Sequence, residues 1–293
     1  MATTERTVDN WSHFLDSIKP FTAEPGNLYG RIGFRGQEKS AQAWDLRPSL
    51  ARLLPEYCDY GKAVEIERRL LREFSQDGHL HLRTLEVPNL NNPLGWVMIM
   101  QQYGAPTRLL DWTASPYVGA YFAVREAPRE DGVLWVHEYV KLVTALRSSG
   151  TKMDLKRVGQ ALAGELHPPQ DPPGICALFT LKRPERMYAQ QGFYMLCEDP
   201  RRAHDEVMNE IAAKARVQPF VHKVIIRHKA KQEFLANLRM MNITGASLFP
   251  GADGLGRHVA EWGRLLAGGF ATTPVEEAVA DSAASGEAED SPG

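Results

Sequence analysis

The chain of 293 residues is poor in cysteine and has no long apolar segment. Cys58, Cys176 and Cys197 are odd in number and widely spaced, which suits reduced thiols and gives neither a disulfide framework nor a zinc knuckle. Apolar runs such as Trp96–Met100 are far shorter than the roughly 20 residues that a membrane-spanning helix needs. The first residues also lack a basic-then-apolar leader. These absences predict a cytoplasmic protein without a membrane segment.

The motifs of several large enzyme classes are missing as well. There is no GxSxG, no P-loop that ends in Gly-Lys-Ser/Thr, and no GxGxxG that opens a helix after a strand. Hydrolase, kinase and dehydrogenase functions therefore lose their usual support. His79 and His81 lie one residue apart, but no carboxylate or third histidine follows at ligand spacing, so no metal site is predicted.

The charge of the chain is nearly balanced, with 34 Lys and Arg against 36 Asp and Glu. Six of the acids and no base lie in residues 275–293, which leaves the preceding body with a net charge of +4. This charge is too small to indicate a nucleic-acid binder by itself, although residues 181–240 carry twelve bases against seven acids. The candidate phosphate contacts in that region are Arg201, Arg202, Lys229 and Lys231.

Hydrophobic periodicity predicts a body of mixed helices and strands. The predicted helices cover residues 11–18, 63–74, 96–102 and 232–241, and the predicted strands cover residues 28–34, 132–140, 175–181 and 223–227. Gly78 and His79 are expected to end the second helix. We expect a short helical appendage over residues 1–25, one domain over residues 26–265, and a disordered acidic tail over residues 266–293.

The segment from Thr107 to Val124 is the most informative stretch of the chain. It begins as a short apolar strand, and Ser115 followed by Pro116 is a good start for a helix. The free backbone N–H groups and the positive helix dipole beside Thr113 and Ser115 favour a bound anion such as a pyrophosphate. The alternative is a tightly packed strand–helix joint, which would explain the small residues that follow.

Arg35 is the second candidate for a ligand contact, because it follows an apolar strand and precedes Gly36. A fixed guanidinium binds two oxygens of a phosphate or a carboxylate at once. The alternative is a structural ion pair with Asp45 or Asp111. In the same way, Arg108 could form only a local ion pair with Asp111.

Aromatic residues flank the same region. Trp112, Tyr103 and Tyr121 offer ring faces that could hold a cationic ring such as nicotinamide. The alternative is that these side chains are ordinary members of the core.

Three stretches, taken in order, resemble the FRG domain family, which is named for its Phe/Tyr-Arg-Gly signature. They are Gly33–Gln37, Trp44–Arg52 and Gln101–Thr113. Two later stretches, Gln190–Phe193 and Ile243–Leu255, are similar to later blocks of that family, so the resemblance spans roughly residues 28–262. The family is known mostly as a domain of uncertain function, and the resemblance alone does not define an activity.

A weaker similarity links the chain to the NAD-binding core of ADP-ribosyltransferases. It rests on an arginine that ends the first strand and on the later strand-turn-helix Leu-Asp-Trp-Thr-x-Ser-Pro. The similarity implies an α+β fold with a split mixed β-sheet core and packed helices, and NAD as the substrate. It also implies a set of NAD contacts. These are Arg35 and Gly36 at the phosphates or ribose, Thr113 and Ser115 on the nicotinamide-ribose side, and Trp112 and Tyr121 as aromatic contacts.

The later block departs from the transferase pattern at the position where a glutamate is expected. The chain has Gln190 and Gln191 there, and Glu198 lies several residues beyond. The predicted catalytic residues are therefore Arg35, Gln191 and Glu198. The resulting hypothesis is an NAD-dependent ADP-ribosyltransferase that modifies DNA, RNA or protein. The alternatives are a non-catalytic module that binds a nucleotide or nucleic acid, and a scaffold in which the recurring residues are architectural.

Overall fold

Seven strands form one open sheet in the computed structural model, which describes residues 3–23, 31–39, 45–83, 87–89, 91–180 and 183–267. The strands are β1 (Thr4–Val8), β2 (Ile32–Gln37), β3 (Leu109–Thr113), β4 (Gly132–Glu138), β5 (Ile175–Leu178), β6 (Gly192–Cys197) and β7 (Val221–Ile226). Their order across the sheet is β1-β7-β4-β2-β3-β6-β5. Strand β1 runs parallel to β7, and the other neighbouring pairs are antiparallel.

About twelve helices surround this sheet. They are α1 (Trp11–Thr22), α2 (Ser49–Leu53), α3 (Tyr60–His81), α4 (Pro93–Gln102), α5 (Pro116–Val124), α6 (Tyr139–Ser149), α7 (Leu155–Ala163), α8 (Glu185–Ala189), α9 (His204–Ala215), α10 (Lys231–Met240), α11 (Gly245–Leu248) and α12 (Ala252–Ala267). The predicted α+β class with a mixed sheet is confirmed. None of the described helices is both long enough and apolar enough to cross a membrane.

The sheet is weakest between β2 and β3. Strand β2 is paired with β4 along its whole length, from Ile32 to Gln37. With β3 it shares a single pair, Phe34 opposite Thr113. The two strands therefore diverge on the far side of Phe34, inside one continuous sheet.

Three apolar clusters hold the helices against the sheet. The first packs α1, α5 and α10 on one face, the second packs α6 and α9 on the other face, and the third lies beneath α3, α4 and α7. Fully buried members include Phe14, Phe34 and Phe234 in the first cluster, Trp135, Leu142 and Ile211 in the second, and Tyr194 and Leu196 in the third. Because α1 belongs to the first cluster and β1 pairs with β7, residues 4–22 share the sheet and core of the rest of the chain.

Most predicted elements are found, with bounds that tertiary packing changes. Helix α3 continues to His81, so the prediction that Gly78 and His79 end it is wrong. A Cβ atom at Gly78 would lie 2.8 Å from the Trp96 ring, so the glycine instead lets α4 pack closely on α3. Strand β2 continues past Phe34, since Arg35 to Gln37 pair with β4.

Two other predicted strands are shorter than expected. Strand β4 ends at Glu138 because α6 begins at Tyr139, and β5 ends at Leu178. Of the predicted tail, Leu266 and Ala267 complete α12, and the remainder lies outside the described residues, as do residues 28–30 of the first predicted strand and Trp44.

Arg108 forms a buried ion pair, but with Glu67 of α3 rather than with Asp111. Its Nε donates to both carboxylate oxygens of Glu67 at 2.9 Å, and its Nη2 donates to Oε2. Its Nη1 donates to the carbonyl of Glu198 at 2.7 Å. Burial alone would lower the pKa of Arg108, but Glu67 more than offsets this effect and the pKa lies above its usual value. The pair joins α3 to the start of β3 and the end of β6.

Candidate active site at the divergence of β2 and β3

A cavity of about 340 Å³ opens where β2 and β3 diverge. Small-molecule sites are typically about 300–1,000 Å³ in volume, so the space is sufficient for a ligand. Its polar lining residues are Arg35, Gln37, Glu38, Lys39, Gln101, Gln102, Asp111, Thr113, Arg125, Arg186 and Gln190. Its apolar and aromatic lining includes Phe34, Trp112, Phe122, Met187, Phe193 and Tyr194.

Arg35 spans the gap between the two strands. Its Nη1 donates to the backbone carbonyl of Asp111 at 2.7 Å and lies 4.0 Å from the Asp111 carboxylate. Its Nε is buried and has no partner among the described residues. Burial lowers the pKa of Arg35, the Asp111 carboxylate raises it to a smaller extent, and the charge of Arg52 lowers it further. The guanidinium thus takes the place of a strand–strand hydrogen bond and fixes the width of the cleft.

Asp111 presents its carboxylate to the cavity. The side chain is 58% exposed, and its Oδ2 accepts a hydrogen bond from Gln101 Nε2 at 2.8 Å. The Gln101 amide is itself oriented, because its Oε1 accepts from the Thr107 hydroxyl. Asp111 is therefore a positioned acidic group with an accessible oxygen.

The two predicted hydroxyl residues close the turn between β3 and α5. The Thr113 hydroxyl donates to the Gln190 carbonyl at 2.7 Å and accepts from the Ser115 N–H at 3.1 Å. Ser115 is the N-cap that the sequence predicts, and its Oγ accepts from the Val118 N–H at 3.3 Å. Thr113 lines the cavity and Ser115 does not.

The two predicted aromatic contacts differ in their location. Trp112 lines the cavity but is only 2% exposed, and its ring packs edge-on against His137 with centroids 4.5 Å apart. Tyr121 lies in the core away from the cavity lining, and its hydroxyl donates to Glu261 of α12. Burial and the Glu261 carboxylate both raise the pKa of Tyr121.

Gln191 and Glu198 also lie outside the cavity lining. Gln191 adopts a left-handed conformation with φ of 49° in the turn before β6, where its carbonyl accepts from the Ala114 N–H. Glu198 is 3% exposed and accepts from the Gly174 N–H at 3.2 Å. Burial raises the pKa of Glu198. The hydrogen bond from Gly174 and the charge of Arg157 lower it to a smaller extent, so the pKa lies above its usual value. The neighbour of Gln191, Gln190, lines the cavity instead.

Gly36 contributes by its lack of a side chain. A Cβ atom at this position would lie 2.1 Å from the Gly119 carbonyl and 2.5 Å from the Ala123 nitrogen. Helix α5 therefore rests directly on β2, which confirms the close packing that the small residues of this helix suggest. The same contact places Arg125, just after α5, at the cavity.

Three of the four predicted phosphate contacts are engaged elsewhere. Arg201 pairs with Asp199 and Arg202 with Glu210, each at 2.6 Å. Lys231 is 2% exposed, and its Nζ donates to three backbone carbonyls at 2.7–3.0 Å. These three side chains therefore already have partners. Arg125 and Arg186, two further arginines that line the cavity, are not among the contacts that the sequence predicts.

A family model described as the FRG domain matches residues 30–132 of the chain. The matched segment supplies most of the cavity lining, including Arg35 and Asp111, whereas Arg186 and Gln190 lie beyond it. Neither the curated proteins nor the solved structures that were compared with the chain include a match. The chain thus contains an FRG domain over residues 30–132.

Proposed function

We propose that the cavity binds NAD and that the protein transfers ADP-ribose from NAD to an acceptor. NAD joins a cationic nicotinamide ring to a diphosphate, so its ligand groups carry opposite charges. The cavity offers the exposed Asp111 carboxylate from β3, the partly exposed aromatic ring of Phe122, and the guanidiniums of Arg125 and Arg186. This combination of a carboxylate, aromatic surface and guanidiniums in one space is the observation that carries the proposal.

Asp111 is the proposed catalytic residue. Positive charge develops on the ribose carbon as nicotinamide leaves, and a carboxylate placed opposite that carbon lowers the barrier. The hydrogen bond from Gln101 holds one carboxylate oxygen and leaves the other available. Arg35 is a positioning residue in this proposal, because its bond to the Asp111 carbonyl fixes the backbone that carries the carboxylate.

The proposed reaction exchanges one bond for another. The bond between nicotinamide N1 and ribose C1′ breaks, and nicotinamide leaves as a neutral base with the bonding electrons. A lone pair of the acceptor forms the new bond to C1′, and the acceptor releases its proton to solvent. NAD supplies the ADP-ribosyl group, and the acceptor is DNA, RNA or protein.

The test follows nicotinamide release from NAD by the full chain, together with transfer of labelled ADP-ribose to mixed DNA, RNA and protein. We expect release by the wild type and a loss of about a hundredfold in Asp111→Asn, because a group that stabilises transition-state charge contributes about that much. Asparagine retains the oxygen that accepts from Gln101. The matched control is Asp154→Asn, which changes an aspartate that caps α7 and keeps the cap. Equal rates in wild type and Asp111→Asn would remove Asp111 from the mechanism.

A module that binds a nucleotide without turnover is the second candidate. The observation that favours it is the location of Glu198, a predicted catalytic residue whose carboxylate instead accepts a hydrogen bond from the Gly174 N–H. The other acidic residue of the cavity, Glu38, is paired with Arg125 at 2.9 Å. This candidate predicts that NAD binds to the wild type and that no nicotinamide is released.

A further inference from the structure

Three guanidiniums surround one buried ring beside the cavity. Arg186 and Arg257 each lie 4.7 Å from the centroid of Phe249, and Arg125 lies 5.7 Å from it. Phe249 is 5% exposed. An aromatic face attracts cations, so the ring is a common support for side chains from three separate parts of the chain.

The positions of these arginines follow from the fold rather than from local sequence. Arg125 follows α5, Arg186 belongs to α8, and Arg257 belongs to α12. A Cβ atom at Gly245 would lie 2.7 Å from the Cβ of Arg257, so this glycine lets α12 approach α11. That approach brings Arg257 to the ring that Arg186 covers.

Only one of the three guanidiniums forms an ion pair with a described residue. Arg125 is paired with Glu38 at 2.9 Å. Within the part of the chain that the structure describes, neither Arg186 nor Arg257 has a carboxylate at ion-pair distance. Burial lowers the pKa of Arg186, Asp111 raises it, and the charges of Arg257 and Arg125 lower it again. Like charges held together in this way are relieved by a bound anion.

We propose that Arg186 and Arg257 form the site for the diphosphate of a nucleotide at the edge of the cavity. A guanidinium fork binds two phosphate oxygens at once, and Arg186 lines the same cavity as Asp111. The inference rests on the proposed function for the identity of the whole ligand. The shared chemistry is a diphosphate, which a dinucleotide or a free nucleoside diphosphate can supply.

Isothermal titration of the full chain tests this site with four probes: ADP-ribose, ADP, inorganic pyrophosphate and nicotinamide riboside, which has no phosphate. We expect Arg186→Met and Arg257→Met to weaken binding of the three phosphate probes about tenfold or more, as the loss of a charged hydrogen bond does. Methionine keeps an apolar contact with Phe249. Arg186→Lys retains the charge without the fork and is expected to weaken binding as well.

The matched control is Arg239→Met. Arg239 also stacks on an aromatic ring, 4.4 Å from the centroid of Trp262, and is not one of the three guanidiniums at Phe249. Its variant is expected to bind all probes as the wild type does. Unchanged affinity for pyrophosphate and ADP in Arg186→Met and Arg257→Met would overturn the site, as would a wild type that binds no phosphate probe.

The outcome can be separated from that of the proposed function. A wild type that binds ADP and loses this binding in Arg186→Met, but releases no nicotinamide from NAD, supports the diphosphate site and contradicts the transferase. If the wild type releases nicotinamide and Arg186→Met and Arg257→Met change neither the rate nor the KM, the transferase is supported and the diphosphate site is contradicted.

Discussion

Replacement of Glu67 by Gln tests the buried ion pair that joins α3 to β3. Arg108 and Glu67 are 0% and 1% exposed, so neither charge is solvated. In the wild type, both carboxylate oxygens accept from Arg108. Glutamine removes the negative charge and turns one of those acceptors into an N–H donor that faces another donor. Arg108 then keeps the remaining amide oxygen and the Glu198 carbonyl as acceptors, but no negative charge balances its buried guanidinium.

The expected cost is large relative to the stability of a folded protein. Removal of one member of a buried ion pair typically costs about 3–5 kcal/mol, because the other charge stays buried without compensation. A whole domain is stable by only about 5–15 kcal/mol. We therefore expect Glu67→Gln to lower the free energy of unfolding by about 3–5 kcal/mol.

The control for this prediction lies on the same helix. Glu65 pairs with Arg68 and Arg69 at the protein surface, so solvent replaces the lost contacts in Glu65→Gln. Urea unfolding followed by circular dichroism measures both variants, with a lower midpoint and an unchanged slope expected for Glu67→Gln. If the two variants lost similar stability, the buried pair would not have the role that its geometry implies.

Three further predictions concern His137, Gly36 and Cys197. Burial lowers the pKa of His137 to about 3. Below about pH 6.5 this histidine takes up a proton in the unfolded chain but not in the folded one, so the free energy of unfolding falls as the pH falls. His137→Phe should reduce the pH slope of the unfolding free energy between pH 6.5 and 5 by up to about 1.4 kcal/mol per unit, and an unchanged slope would contradict this. Gly36→Ala should lower the free energy of unfolding in urea by at least about 1–3 kcal/mol, because its Cβ would meet the α5 backbone. The control is Gly159→Ala, whose Cβ would meet no atom within 4 Å. This variant should stabilise α7 by about 0.5–1 kcal/mol. Burial raises the pKa of Cys197 to about 12, so iodoacetamide at pH 8 should label the partly exposed Cys58 first, as peptide mass spectrometry would show.

Local signals in the sequence predict the parts of the site that depend on neighbouring residues. Ser115 and Pro116 begin α5 as expected, because a cap needs only the next few residues. The sequence names Asp111 as one of two possible ion-pair partners of Arg35, and the structure places these two side chains 4.0 Å apart. Strand β1 could not be predicted, because residues 4–7 are exposed at the sheet edge and show no apolar alternation.

The parts of the site that depend on long-range packing could not be predicted. Gln190 and Gln191 are adjacent, and only the left-handed turn at Gln191 decides which of them faces the cavity. Glu67 lies on a helix 41 residues before Arg108, and no local pattern links the two. Arg186 and Arg257 meet at Phe249 only because α8, α11 and α12 pack together.

The most direct test of the cavity between β2 and β3 as the ligand site is a crystal structure of the chain with ADP-ribose. We expect electron density for the ribose within reach of the Asp111 carboxylate and for the diphosphate against the Arg186 guanidinium. Density for ADP-ribose at any other place, such as the groove lined by Lys231 and Arg264, would contradict the assignment.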